Sequence, residues 1–460
     1  MKITVLNGSP KGKASVTMQY VRYIQQNHPE HEFVVHNISY EIKKLEKNTA
    51  AFDAVIADIK TSRAVLWATP VYVCLVPSQY KRFIELVHDK KAARAFAGKY
   101  AVSLTTSIHF FDNTAHEYLN AISDDLGMKF AGSYSADMFD LVHRLHQAKV
   151  LQFAEDIFTV IEEKRPVAKK YLSLKTRAFA YVPSKPAGKI DTAGKNIVVC
   201  TDVSKKGGNL DKMVSRFRDA FGGHVDVFNI RDINIKGGCL GCIKCGYDNV
   251  CAWTGKDDFI DFFNSRIICA DILILAGEIR DRYLSWQWKQ FFDRSFFNTH
   301  RPVLKGKQIG FIVSGPLGQI PNLRQILEAY TQWHQANLID FVIDETGTSR
   351  EIDARIDSFA KRAVEYASRG YLRPATFLGV GGTKIFRDDV YGKLRFAFLS
   401  DHAYYKKHGV YDFPHKNYKM RLTNAMFTLM MRIPKFRKKI IGGMKYGMLQ
   451  PFKRIVGEWR

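Results

Sequence analysis

The sequence predicts an α/β protein built from two tandem, doubly wound parallel sheets and a basic C-terminal extension. Three observations carry that expectation. Short apolar, β-branched runs alternate with longer amphipathic stretches through residues 1–165, and the same rhythm returns after residue 194. The two halves also align residue by residue. Val5-Leu6 matches Val199-Cys200 at an offset of 194, while Phe83-Ile84-Glu85 matches Phe291-Phe292-Asp293 and Gly98-Lys99 matches Gly306-Lys307 at an offset of 208. Between the halves, residues 166–194 break the rhythm with Pro166, Pro183, Pro186, Gly188 and Gly194, and read as a linker. The expected organisation is a first domain at 1–165, a linker at 166–194, a second domain at 195–372 and an extension at 373–460.

In the first half the expected strands are Lys2–Asn7, Glu32–Asn37, Arg63–Ala68, Tyr100–Thr105 and Lys129–Ser135. Helical patterns lie between them near 15–26, 45–60, 78–88, 113–126 and 143–163. In the second half the strands fall at Asn196–Thr201, His224–Phe228, Asp271–Ala276, Gln308–Val313 and Ile339–Ile343. Five βα units suit the strand order 2-1-3-4-5. Internal repetition of this kind implies one chain holding two similar domains packed as an intramolecular pseudo-dimer, with a further homodimer left open.

The offset grows by 14 (208 minus 194) where a cysteine-rich stretch sits. Four of the seven cysteines, Cys239, Cys242, Cys245 and Cys251, fall within it, and the others are Cys74, Cys200 and Cys269. A C-x2-C-x2-C run with a fourth cysteine is how iron–sulfur clusters are held, so these four are the candidate ligands of a [4Fe–4S] cluster. Zinc is the nearest alternative, although its thiolate sites more often pair two separated knuckles. Cys200 and Cys269 read as core residues.

Hydrophobic content of 46% is ample for packed cores. The first residues run directly into a strand, without the pattern of a secretory signal, and the cysteine usage suits a reducing compartment, so a cytoplasmic location is expected. The net charge of +24 is uneven. Residues 381–460 hold 18 Lys/Arg and 5 Asp/Glu, or +13, leaving +11 for the whole of the chain before them (51 minus 40). Within the tail, Tyr404 to His415, Met420 to Met431 and Arg432 to Ile440 interleave apolar and basic residues. A membrane surface or an acidic protein partner fits that mixture, as does packing on the two domains. Nucleic acid is not expected.

The first strand ends in Asn7-Gly8-Ser9-Pro10-Lys11-Gly12-Lys13-Ala14-Ser15-Val16-Thr17. A strand–loop–helix rich in Gly and hydroxyl residues points backbone N–H groups and a helix N-terminus at an anion. After strand three comes Ala68-Thr69-Pro70-Val71-Tyr72, and after strand four Thr105-Thr106-Ser107-Ile108-His109. In an open α/β sheet these loops converge at the carboxyl edge.

On these motifs the first half resembles the NADPH-dependent FMN reductase family of flavodoxin-like proteins. Cys239 to Asp258, with Leu284 to Asp293 and Leu304 to Lys307, resembles its iron–sulfur flavoprotein branch. The resemblance implies two tandem flavodoxin-like sheets, FMN as cofactor, NAD(P)H as an electron donor, and flavin near a dimer interface. Ser9, Pro10, Ser15 and Thr17 would hold the FMN phosphate. Pro70, Val71 and Tyr72 would line the ring, and Thr105, Thr106 and Ser107 would approach its polar edge. The family's glycines in the third loop are replaced by Ile108-His109-Phe110-Phe111.

The second half lacks the same loops. At offset 194, Gly8 becomes Asp202, Ser9 becomes Val203 and Thr17 becomes Asp211; at offset 208, Pro70 becomes Glu278 and Tyr72 becomes Arg280. Carboxylates facing a phosphate dianion repel it, so the expectation is one FMN per chain, in the first domain. Ser204 and Asn209 remain as residues that a shifted nucleotide could use.

The resulting reading is an iron–sulfur flavoprotein oxidoreductase. It would move electrons between NAD(P)H or a ferredoxin-type carrier, FMN and a [4Fe–4S] cluster, to a small-molecule or protein acceptor. The alternatives are an FMN reductase-like enzyme with a structural zinc at the cysteine loop, and a non-catalytic electron carrier or scaffold docking through its basic tail. Catalytic residues are unassigned; Lys81 and Arg82 are weak candidates for nicotinamide contacts.

Overall fold

In the computed structural model the described residues are 1–412 and 416–456; residues 413–415 and 457–460 of the extension, including Phe413 to His415 of its aromatic motif, lie outside them. Residues 1–402 form one compact unit and residues 403–460 another.

Within the first unit, strands β1 (Lys2–Asn7), β2 (Glu32–His36), β3 (Ala64–Pro70), β4 (Tyr100–Ser107) and β5 (Lys129–Asp137) form one sheet in the order β2-β1-β3-β4-β5. Strands β6 (Ile197–Thr201), β7 (Asp226–Asn229), β8 (Ile272–Glu278), β9 (Gln308–Ser314) and β10 (Asn337–Ile343) form a second in the order β7-β6-β8-β9-β10. Every pairing is parallel. Both sheets thus have the 2-1-3-4-5 arrangement, and the fold is flavodoxin-like twice over. The central strands explain themselves: β3 and β8 are almost continuously buried apolar runs, as expected of strands covered by helices on both faces. The offsets persist in the structure. The start of β7 keeps the offset of 194 from β2 (226 minus 32), whereas β8, β9 and β10 each start at an offset of 208 from their counterparts (272 minus 64, 308 minus 100, 337 minus 129).

Helix ends follow from local chemistry. Ser15 caps the helix Val16–Asn27 by accepting from the Met18 N–H at 3.3 Å. The pattern expected as one helix over 45–60 is broken at Asn48, whose side chain caps the helix Thr49–Thr61 by accepting from the Ala51 N–H. Cys200 is buried as expected, but Cys269 is exposed: it follows a π-helical turn, Phe263–Ile267, which displaces it from the core.

The two sheets meet through the helices Ser78–Asp89 and Trp286–Ser295, and the contact is reciprocal. The Ser78 N–H donates to Asp293 Oδ2 at 2.7 Å, and the N–H of its counterpart Trp286 donates to Glu85 Oε1 at 2.7 Å. Each carboxylate satisfies the open N-terminus of the opposite helix. Each also pairs along its own helix with a fully buried lysine, Lys81 with Glu85 at 2.6 Å and Lys289 with Asp293. Lys81 reaches across to Asp281 at 2.9 Å, and Lys289 reaches back to the Tyr72 carbonyl at 2.8 Å. Lys81 is therefore sealed in the interface and cannot touch a nicotinamide. Arg82 is held by Glu46 and Asp89 and lies over Trp286.

The linker has no regular secondary structure over residues 166–185, yet it is pinned to both domains. The Lys170 and Tyr171 N–H groups donate to Asp124, the Lys175 N–H donates to Gln319, and the Tyr181 hydroxyl donates to Asp353.

Candidate functional site

The carboxyl edge of the first sheet opens into a cavity of about 370 Å³, within the usual range for a ligand site. Its floor comes from the first loop: Ser9, Lys11, Ser15, Val16 and Thr17 line it, where the helix Val16–Asn27 begins. Gly8 precedes them because nothing larger fits; a Cβ there would lie 2.6 Å from Thr69 Oγ1 and 2.9 Å from the Tyr80 ring. Thr17 and Thr106 join loops one and three through their hydroxyls at 2.6 Å.

The walls are Pro70, Val71 and Tyr72 from the second loop and Thr106 and Ser107 from the third. Of the residues expected here, Pro10 and Thr105 do not line the cavity. The Thr105 hydroxyl is buried against His116 Nε2 at 2.9 Å. His116 also meets Ser103, and its burial pushes it down to about 4, so it is a neutral prop behind the loop.

The second loop is strained. Tyr72 and Leu75 exchange backbone hydrogen bonds at 2.7 and 3.0 Å, and Val73 and Cys74 between them take φ of 38° and 63°. Such a turn usually carries glycine or asparagine, and residues held in that region mark places where the surroundings dictate the backbone. The equivalent turn at Arg280–Tyr283 closes with an N–H···O bond at 3.0 Å, but Asp281 and Arg282 keep ordinary φ.

The third loop's departure from glycine has a reason that only the fold reveals. His109 and Phe111 take left-handed backbone conformations, which turn Phe110 into an aromatic group with Trp333 and Phe386. Phe386 lies on the helix Phe377–Tyr391, and Gly382 of that helix leaves the space that Phe110 fills. His109 itself is exposed and paired with Asp112 at 2.8 Å.

Residues beyond the second sheet close the cavity. Leu394, Phe396, Ala397 and Phe398 line it together with Phe386, Trp333 and His300. His300 stacks on Phe386 at 3.7 Å, and its Nδ1 lies 3.0 Å from Asp401 Oδ2. Asp401 is fully buried and also accepts from the His300 N–H and the Thr299 hydroxyl. Sequence reasoning missed His300 and Asp401. They lie 101 residues apart in chain segments without a motif, and no local pattern links them.

The cysteine loop forms the remaining wall, through Cys239, Gly241 and Ile243. Gln79 Nε2 donates to the Cys239 carbonyl at 3.0 Å, and Lys43 Nζ donates to the Lys236 carbonyl at 2.6 Å, so the first domain holds this loop of the second. Its root is fixed by a buried fork in which Arg294 pairs with both oxygens of Asp257 and donates to the Gly237 carbonyl. The approach is tight enough to require glycine at two positions. A Cβ on Gly241, which has φ of 62°, would overlap the Tyr72 hydroxyl, and one on Gly246 would overlap the Ala397 carbonyl.

The four thiols share one neighbourhood. Burial pushes Cys239 up to about 12, with Asp293, Cys245 and Cys251 adding to it; burial likewise pushes Cys245 up to about 12, with Cys251 and Cys242 adding. Among the described residues, no group of three or more His, Cys, Asp or Glu side chains is gathered as a metal site. The donor set suits a thiolate-ligated centre, while the sulfurs are not drawn together round a common point.

The same test on the second sheet gives a different surface. Asp202 is buried in the place of Gly8 and held by Ser285 and the Glu278 N–H. The Asp211 carboxylate accepts from the Gly207 N–H, closing the loop on itself. The two residues left for a shifted nucleotide are both engaged: Ser204 with Arg280, and Asn209 with Asp344 and linker residues Phe179 and Tyr181. A cleft of about 350 Å³ does lie beside Arg280 and Asp281, but Arg82, Glu85, Asp89 and Arg231 make it ionic.

Residues 1–138 match the family model of the NADPH-dependent FMN reductases. No curated protein matches the chain. Solved structures similar to it include an NADH:FMN oxidoreductase in its apo form, 17% identical over 37% of this chain and 91% of that one, TM-score 0.30. An FMN-dependent NADH-azoreductase from Bacillus anthracis, in complex with FMN, is 13% identical over 36% and 99%, TM-score 0.26. An NADPH-quinone reductase from P. pentosaceus is 13% identical over 34% and 95%, TM-score 0.26. The family match makes the first domain FMN reductase-like and supports FMN binding and an NAD(P)H-dependent oxidoreductase activity.

Proposed function

We propose that the chain is an NAD(P)H-dependent flavoprotein that holds one FMN in the first domain's cavity and a [4Fe–4S] cluster on the cysteine loop beside it. One observation carries the reading: Cys239 and Gly241 of the second domain line the same cavity as Ser9, Thr17 and Tyr72 of the first. The residues present fit FMN. Ser9, Ser15 and Thr17, the helix start at Val16 and the Lys11 ammonium suit a phosphate. Pro70, Val71 and Tyr72, with Thr106 and Ser107, suit a flat ring that has one polar edge. Cys239, Cys242, Cys245 and Cys251 would hold the cluster. When bound, FMN exchanges electrons in pairs or singly and a [4Fe–4S] cluster carries one at a time, so together they would bridge hydride and one-electron chemistry.

The chain's own residues supply the rest. Phe110, Phe386 and Phe398 give the cavity an apolar aromatic side, which suits the dimethylbenzene end of a flavin ring. Asp401 fixes the ring of His300 and favours a proton on Nδ1, which leaves Nε2 as the nitrogen that can accept a proton or a hydrogen bond during acceptor reduction. Arg82, tied into Glu46 and Asp89, and Lys81, buried in the interface, have no part in this.

The test is a count of FMN, iron and acid-labile sulfide on protein purified without oxygen. The expected result is one FMN with about four irons and four sulfides per chain. Zinc without sulfide would replace the cluster by a structural metal, and two FMN per chain would overturn the assignment of the flavin to one domain. Bleaching of the flavin by NADPH separates a reductase from a pure electron carrier, which stays oxidised.

A further inference from the structure

Residues 403–460 carry 14 Lys/Arg against 2 Asp/Glu, a net charge of +12 (14 minus 2). The helix Tyr418–Met430 in this unit has no buried residue, and Leu422 and Leu429 are 74% and 61% exposed. Most of its apolar residues are nonetheless ordered. Tyr418, Leu422, Ala425, Met426 and Leu429 recur at helical spacing and form one stripe, while Met420, Phe427 and Met430 lie away from it and Phe427 meets Phe436 of the next helix at 6.2 Å. At about 100° per residue, Lys419 and Arg421 fall on the two edges of that stripe. The next helix, Pro434–Gly447, supplies charge: Lys435, Lys438 and Lys439 are exposed on it, while Phe436 is half-buried against Phe427 of the first helix.

We infer that these helices lie on the surface of an anionic lipid bilayer, with the apolar stripe of Tyr418–Met430 in the acyl boundary and the lysines and arginines at the headgroups. An apolar stripe edged by long cationic side chains suits an interface where the stems enter the apolar layer and the charges stay in the polar one. The charge decides between occupants. A second copy of the unit would bring +12 against +12, whereas an anionic surface attracts each basic residue near it. Length decides the mode. Helices of 13 and 14 residues are shorter than the roughly 20 needed to span, and among the described residues no helix is long and apolar enough to cross a membrane.

The test uses the full chain and co-sedimentation with vesicles. Retention on phosphatidylcholine containing about 30% phosphatidylglycerol should exceed retention on phosphatidylcholine alone by about tenfold or more, and should fall as salt is raised. Leu422→Ser with Leu429→Ser should remove retention on both. Lys435→Gln, Lys438→Gln and Lys439→Gln together should remove mainly the preference for the anionic vesicles. None of these exposed positions lines the flavin cavity, so an unchanged FMN content reports that the rest of the chain is folded. Equal retention on the two vesicle types, or none, overturns the inference. So does a dimer in sedimentation velocity that Leu422→Ser and Leu429→Ser dissolve without any vesicle retention, or binding confined to an acidic protein or polyanion.

Discussion

The cavity beside Tyr72 and the cleft beside Arg280 occupy corresponding places on sheets of the same strand order, yet their surfaces are chemically opposed. The first combines hydroxyls and a helix N-terminus at one end with an apolar roof at the other. The second is lined by carboxylates and guanidinium groups from both domains, and the polar atoms of the second domain's first loop are already spent on Arg280, Asp344, their own backbone and the linker. The backbone scaffold is indifferent to this difference, and the loops carry it. The strain is distributed in the same way: Val73 and Cys74 are held in left-handed conformations beside the apolar cavity, and the matching turn beside the ionic cleft is relaxed. The first domain's cavity is also finished by others, since its walls include the second domain's cysteine loop and its roof comes from residues 386–398.

The interface shared by both halves should give the largest effect. Lys81→Met leaves Asp281 buried without its cation and takes from Glu85 the nearer of its two, and Lys289→Met leaves Asp293 buried without its cation. Each should cost about 3–5 kcal/mol in urea unfolding, whereas Arg218→Ala, which breaks an exposed pair with Asp219, should cost less than about 1 kcal/mol. Equal costs at the three sites would mean that the reciprocal pairs do not hold the halves together.

Exchanging loop residues between the halves sharpens the comparison itself. Gly8→Asp installs the second domain's residue in the first and should weaken FMN binding, followed by flavin fluorescence, about 100-fold or more, equivalent to about 2.7 kcal/mol. Asp202→Gly should not create a second site, because Ser204 and Asn209 remain engaged. A second equivalent of FMN bound by that variant would break the contrast between the two loops.

Each domain also buries one histidine that resists protonation. His116 is pushed down to about 4 and His334 to about 3, in both cases by burial. In the unfolded chain each takes up a proton near pH 6.5, so the unfolded state binds more protons between that pH and the folded values. Their contribution to stability is therefore complete above about pH 6.5 and is lost as pH falls toward 4 and 3, at up to about 1.4 kcal/mol per pH unit for each group. His334→Leu should flatten the pH dependence of the unfolding midpoint more than His116→Asn. His334 has no hydrogen-bond partner on either ring nitrogen, whereas His116 props Ser103 and Thr105.

The smallest effect is expected at the roof. Asp401→Asn keeps the shape beside His300 but removes the charge that orients it. It should lower acceptor reduction by about tenfold and shift its pH profile while FMN content stays the same. A loss of flavin instead would make Asp401 a structural residue.

Much of this fold is legible in the chain. Lys2–Asn7, the alternation of strands and helices, and the step from offset 194 to 208 all follow from hydrophobic period and local residue chemistry, which operate over a few residues. That Ser9, Ser15 and Thr17 line the cavity is legible for the same reason; Cys239 to Cys251 are legible as one loop, but their thiols are not gathered as a metal site among the described residues. Where the reading went astray, long-range packing intervened. Lys81 looked like a free cation beside the flavin loops and is sealed against Asp281, which belongs to the other half of the chain. Cys269 looked like core and is turned outward by a π-helical turn. Thr105 looked like a ligand contact and is spent on His116.

The sequence by itself determined the two sheets, their strand order, the loops at the first carboxyl edge and the cluster of cysteines, because each depends on neighbours close along the chain. Only the tertiary structure decided that Gly241 packs on Tyr72, that Phe110 meets Phe386, and that His300 meets Asp401 beside one cavity. Those contacts join segments that are remote along the chain. Their partners are selected by shape and charge after the sheets have formed, so no local pattern announces them.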